Sequence, residues 1–209
     1  MPDLSFRSRF VCLQMMLWIS LLASCSPLNI QELPEAVVIV TTLPTATGLS
    51  AEQDRIHARI ALPRPSRVAF GDGSIWITDV VNPQLLRIDA STGEILDEPI
   101  LLDFVPREIA YGEGAVWVCS VDRTRLARID PKTNEVAAEI DLRSLQIPEH
   151  VYLLLAAGEG AVWLTNQTHV IQIDPATNQI VGEPLAAGEE IITLALGHGT
   201  LWAGSHDDG

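Results

Sequence analysis

Six polar residues in the second half of the chain have types that could do chemistry: Asp122, Arg123, His150, His169, His206 and Asp207. Three imidazoles with carboxylates nearby are a donor set that could converge on a divalent metal. No spacing recurs among them, however, and polar side chains are the default in loops. They are therefore read as a candidate binding surface, with no catalytic residue and no metal site assigned. His57 and His198 are weaker candidates, because they fall in a strand and a tight turn.

Other chemistries fail on inspection. The Gly71-Asp72-Gly73 stretch and its later copies lack the third glycine and the strand–turn–helix context of a dinucleotide loop. There is no Cys pair for zinc and no Gly-x-Ser-x-Gly elbow. Cys119 lies two residues after Trp117 in an apolar run and reads as a small core residue, not a reactive thiol.

The elements that must position any site come from an internal repeat. Gly-x-Gly pairs begin at Gly71, Gly112, Gly158 and Gly197, spaced by 41, 46 and 39 residues. Trp76, Trp117, Trp163 and Trp202 follow with the same spacings, and Ile-Asp recurs at Asp89, Asp130 and Asp174. Periods of this length with strand-like content point to β-propeller blades. Each copy reads as four short strands, A to D. Gly-x-Gly turns A into B, and Asp-Ala-Ser-Thr-Gly or Asp-Pro-x-Thr-Asn turns C into D. Strand B is apolar on both faces, as in Val116-Trp117-Val118-Cys119. That is the pattern of a sheet packed between two others. Burying one Trp per blade is worth up to about 4–6 kcal/mol.

The fold class expected is all-β, with four-stranded antiparallel blades near 66–101, 107–142 and 152–186 and a half blade at 192–209. These three and a half blades form an open arc. Residues 55–62, RIHARIAL, align with strand D and read as an orphan outer strand. Closure of a small ring through that strand is the competing arrangement. An arc truncated at its C-terminal side is favoured. On this topology the six candidate residues fall in the B–C and D–A connections, together with Asp79, Asn82, Asp103, Arg107, Arg125, Glu149, Asn166, Glu189, Glu190 and Asp208.

The N-terminal residues differ from the repeats. Arg7 and Arg9 precede an apolar run, Phe10–Leu22, too short for a spanning helix and shaped like a signal peptide. Its end, Leu22-Ala23-Ser24-Cys25, resembles the lipobox of bacterial lipoproteins, which implies lipid attachment at Cys25. Residues 1–24 are thus expected to be a lipoprotein signal peptide and 25–50 a lipidated Cys with a flexible tether. Ala36–Val40 is the β-prone exception, able to pair with an exposed edge. The partial propeller then occupies 51–209.

The formal net charge is −14, from 27 acidic and 13 basic residues. That disfavours nucleic acid, whose phosphates need a basic footprint, and disfavours direct contact with an anionic membrane surface. The pattern Gly-x-Gly-Ala-Val-Trp-Val followed by Arg-Ile-Asp-Pro-x-Thr-Asn resembles the repeats of streptogramin lyase-like and YVTN-type β-propeller proteins, over roughly residues 55–209. The lyase resemblance implies a Mg²⁺-dependent elimination that opens a cyclic depsipeptide, using His and Glu on the substrate face. No residue here is matched to that site. The function expected is a lipid-anchored, extracytoplasmic binding module without a cofactor. Its partner is an envelope protein, a peptide or a small ligand, and the membrane is reached through the lipid alone. The alternative is a Mg²⁺-dependent lyase whose catalytic blades are not in this sequence.

Overall fold

The computed structural model describes residues 36–41, 56–62, 64–148, 151 and 153–206. Cys25, His150, Asp207, the expected signal peptide and most of the expected tether lie outside them.

Three four-stranded antiparallel sheets follow one another. The first holds β3 (Pro65–Gly71), β4 (Ser74–Asp79), β5 (Gln84–Asp89) and β6 (Ile95–Leu101). The second holds β7 (Pro106–Gly112), β8 (Ala115–Ser120), β9 (Arg125–Asp130) and β10 (Glu135–Asp141). The third holds β11 (Leu155–Gly158), β12 (Ala161–Thr165), β13 (His169–Asp174) and β14 (Gln179–Ala186). A fourth unit has two strands, β15 (Ile191–Gly197) and β16 (Thr200–Ser205). Before the first blade, β1 (Ala36–Thr41) pairs antiparallel with β2 (Ile56–Leu62). The β-prone stretch at 36–40 thus does find a strand partner, and that partner is the RIHARIAL segment. Among the described residues no sheet joins β1–β2 to β15–β16, and the blades form an open arc.

Alternation along strand B builds the cores between blades. Trp76 packs with Val116 and Val118 between the first and second blades. Ala115, Trp117 and Cys119 point the other way and pack with Val162, Leu164 and Ile173 of the third. Every residue of β8 is buried, as expected of a middle blade. On the outer side of the first blade, Ile77, Leu86 and Ile88 pack on Leu62 of β2. The expectation for Trp163 needs correcting. Trp76 and Trp117 are fully buried, but Trp163 is only half-buried and Trp202 is 66% exposed. The cause is the neighbour. Trp163 alternates with Val162 and Leu164, so it faces the two-stranded fourth unit, which is too small to cover it.

The Gly-x-Gly turns divide their labour. The second and third residues take positive φ: 53° and 68° at Asp72 and Gly73, 53° and 71° at Glu113 and Gly114. This is the two-residue turn whose twist matches the flanking strands. The first glycine serves packing between blades. A Cβ on Gly71 would lie 1.9 Å from the Tyr111 ring, and one on Gly112 would lie 2.2 Å from the Ala157 carbonyl oxygen. The same glycine's carbonyl receives the indole N–H five residues on, Trp76 to Gly71 at 3.4 Å and Trp117 to Gly112 at 3.1 Å.

Strand C carries a second link between blades. Arg87 Nη1 donates to the Pro131 carbonyl at 2.6 Å and to Asn134 Oδ1 at 3.1 Å, in the C–D turn of the next blade. Arg128 does the same with Pro175 at 2.9 Å and Asn178 at 3.3 Å. Each guanidinium also lies over the Trp of its own blade, at 4.8 and 5.6 Å from the ring centroid. The first C–D turn reads Asp89-Ala-Ser-Thr-Gly93, without Pro or Asn, and among the described residues no arginine reaches it. Arg128→Gln is therefore expected to cost about 1–3 kcal/mol, from charge-assisted bonds and cation–π contact. Urea unfolding of Arg128→Gln, Asn178→Ala and the double variant checks it. Strictly additive losses would show that the two side chains are not coupled.

Candidate functional site

The A–B and C–D turns share one end of the blades, and the B–C and D–A connections share the other. Recurring residues crowd the first end, and the second end carries the varied ones.

The B–C loops are held mainly by their own side chains. In the first, Asp79 is fully buried and accepts from the Val81 and Asn82 amides at 2.9 and 3.2 Å and from the Asn82 and Gln84 side chains. In the second, Asp122 Oδ1 accepts from the Ser120 hydroxyl at 2.5 Å and from the Thr124 amide and hydroxyl at 3.1 and 2.8 Å. The Ser120 hydroxyl is the main reason its carboxyl is held below the usual range. In the third, the Asn166 side chain accepts from the His169 amide at 3.0 Å, and His169 Nδ1 lies 2.7 Å from Thr168 Oγ1.

Arg123 is different. It has left-handed backbone, φ 59°, and is only 8% exposed. Its amide donates to the Ser120 carbonyl at 3.0 Å, and Nη2 donates to the Val151 carbonyl at 2.9 Å. Its buried Nε has no hydrogen-bond partner. Beneath it, burial pushes the Cys119 thiol up to about 12, Glu108 raises it further and Arg123 opposes them. Such a thiol is not a nucleophile near neutral pH.

Of the other candidates, His206 donates its amide to the Glu190 carbonyl at 2.9 Å, just past β16. The structure thus places Asp122 and Arg123 in one loop of the second blade, His169 at the start of β13 in the third, and His206 after the fourth unit. Among the described residues, no three His, Cys, Asp or Glu side chains are grouped to hold a metal ion.

Sequence reasoning missed one cluster at this end. Arg67 Nε donates to both carboxylate oxygens of Glu108 at 3.2 Å, and Arg107 Nε lies 3.7 Å from Oε1. Arg67 and Glu108 sit 41 residues apart, the spacing of the first two repeats, so they are equivalent positions of opposite charge on neighbouring inner strands. That signal was present in the sequence. On the outer side, Arg125 pairs with Asp103 at 2.6 Å and lies over Phe104. An open groove of about 410 Å³ beside it is lined by Thr124, Arg125, Glu139, Ile140, Asp141 and Arg143. A second groove, about 540 Å³, lies between strand D of the first two blades around Asp97 and Asn134.

No protein-family model matches the chain, and no curated protein matches it in sequence. Among solved structures it is similar to virginiamycin B lyase from Staphylococcus aureus, with TM-score 0.56 and 22% identity over 71% of this chain and 52% of that one. It is similar to a streptogramin B lyase at TM-score 0.56 and 18% identity, over 71% and 51% of the two chains. It is also similar to BamB from Moraxella catarrhalis at TM-score 0.51 and 15% identity, over 67% and 40%. The chain spans about half the length of the two lyases. At these identities the likeness concerns fold, and the fold is that of β-propeller blades.

Proposed function

We propose that the chain is a ligand- or protein-binding propeller module, presented outside the cytoplasm on a lipid attached at Cys25. One observation carries the binding reading. The recurring side chains are engaged in building blades and turns: Trp76 and Trp117 on glycine carbonyls, Arg87 and Arg128 on the next blade's turn, and Asp89, Asp130 and Asp174 on turn amides. The residues that differ from copy to copy are gathered on the B–C and D–A loops. A repeated scaffold that varies most at one end is suited to presenting a surface. The anchor reading is supported by the basic start, the apolar run and Leu22-Ala23-Ser24-Cys25.

The test places a photo-crosslinking residue at Asp122 on the varied end and, separately, at Lys132 on the turn end, in bacterial envelopes. A discrete adduct from position 122 alone is the expected result. Equal adducts from both positions, or turnover of a cyclic depsipeptide by the purified protein with Mg²⁺, would replace this reading. Fatty-acid labelling lost in Cys25→Ser checks the anchor, and retained labelling removes it.

A further inference from the structure

One contact recurs wherever a blade meets the next. The first glycine of Gly-x-Gly faces the residue just before the first glycine of the following blade. A Cβ on Gly71 would strike the Tyr111 ring, one on Gly112 the Ala157 carbonyl, and one on Gly158 would touch Leu196 Cδ1 at 3.3 Å. Among the described residues this series is open at both ends. Nothing lies within 4 Å of a Cβ on Gly197, and Phe70, which holds the Tyr111 position in the first blade, is 68% exposed. The Trp series is open in the same sense. Trp202 is 66% exposed, while the core of Leu62, Ile77, Leu86 and Ile88 on the outer side of the first blade holds no Trp. Val68 is exposed there, whereas its counterpart Ile109 is buried in one core with Trp76.

The strands are complementary as well. Ile60 and Leu62 of β2 pack on the first blade as Ile100 and Leu102 pack on the second. β1 meets β2 in the register of strand C on strand D: Val38 stands opposite Ile60, as Leu85 does opposite Ile100 and Leu126 opposite Ile140. Among the described residues the head of the arc thus carries a C–D pair without A and B, and its tail, β15–β16, an A–B pair without C and D. Charge agrees with the match. Residues 56–71 carry Arg59, Arg64 and Arg67 and no acid, in a protein of net charge −14. Residues 187–206 carry Glu189 and Glu190 and no Lys or Arg.

We propose that the tail of one copy of this chain docks on the head of a second copy, and that two copies close into one ring. Trp202 then packs on Ile75, Ile77 and Ile88 of the second copy, as Trp76 packs with Val116, Val118 and Ile129 within the chain. Phe70 of the second copy stacks on Gly197, and β16 pairs with β1 to complete a four-stranded blade. The docking covers apolar surface and strand edges that a solitary arc leaves in water. Curvature favours a second copy over the chain's own head. The chain spans about half the length of the two lyases whose blades it resembles. One arc therefore accounts for about half a ring, and a head-to-tail contact with that rotation closes with two copies. The interface lies on the flanks of the arc and does not depend on the binding reading of the loop end.

Sedimentation of the full chain in density-matched detergent tests it, and dimers are expected. Trp202→Glu and Phe70→Glu should each weaken the dimer about tenfold or more. Both side chains lie largely in water in the single copy, so neither change should prevent folding. An equimolar mixture of the two variants should dimerise again, because it holds one intact tail and one intact head. Unfolding curves recorded far below the dissociation constant read the single arc, where both positions face water. Monomers at all concentrations overturn the proposal, whether the tail stays bare or the arc closes on itself. A dimer that survives Phe70→Glu but not Trp202→Glu would be tail-to-tail and also overturns it. So do a mixture of the variants that stays monomeric and wild-type oligomers that grow beyond two copies.

Discussion

Gly112→Ala is expected to destabilise the protein by about 3 kcal/mol or more, a large share of what a domain of this size has. The added methyl would lie 2.2 Å from the Ala157 carbonyl oxygen, 2.5 Å from its carbon and 2.8 Å from its Cβ. Those atoms belong to β11, the inner strand of the next blade, and backbone in a sheet cannot swing aside as a side chain can. The blades must separate, and the separation opens the core that holds Trp117, Leu164 and Ile173. Gly71→Ala meets the Tyr111 ring instead, which can turn away, so its cost should be smaller. Gly197→Ala supplies the control. It is the same first glycine of the same motif, yet nothing lies within 4 Å of its Cβ position, and a change within about 0.5 kcal/mol is expected. Urea midpoints for the three variants check the order. Equal midpoints for Gly112→Ala and Gly197→Ala would show that the first glycine has no role in stacking.

These three glycines mark where the sequence stops being informative. The motif Gly-x-Gly announces a turn, and the positive φ values at Glu113 and Gly114 show the turn it announces. The need for the first glycine, at Gly71 and Gly112, comes from a strand residue forty or more positions away, which no local pattern records. Trp163 makes the same point. Its copy of the repeat is nearly that of Trp117, yet burial is decided by the blade it faces and not by the copy it sits in. What was legible between copies is subtler. The Arg of one copy goes with Pro and Asn in the turn of the next, and Arg67 and Glu108 occupy one repeat position with opposite charges. Both are correlations across a period, visible once the period is known. The loop residues offer no such handle. Asp122 and His169 bond within their own loops, and with no repetition among the loops, spacing cannot say which side chains meet.

The Trp residues give the second large effect, as a graded series. Trp117→Ala should cost about 3–5 kcal/mol, the range for removing a fully buried aromatic ring. Trp76→Ala should follow closely, since it too is fully buried and its indole bond is longer, 3.4 Å against 3.1 Å. Trp163→Ala should cost clearly less. It is half-buried, and its buried indole N–H has no partner to lose. Trp202→Ala should change stability by no more than about 0.5 kcal/mol, because 66% of the residue is already in water. Trp117→Phe separates ring from bond. It keeps an apolar ring but leaves the Gly112 carbonyl without its donor and thins the platform under Arg128. A loss of about 1–3 kcal/mol is expected there, from the orphaned acceptor and weaker packing. The unfolding should be followed by circular dichroism, since each substitution removes part of the fluorescence. A Trp202→Ala cost equal to that of Trp117→Ala would mean that the flank beyond β16 is covered in solution. An equal, small cost at all four positions would mean that the indoles do not hold the blades together, and the stacking account would fail at its main contact.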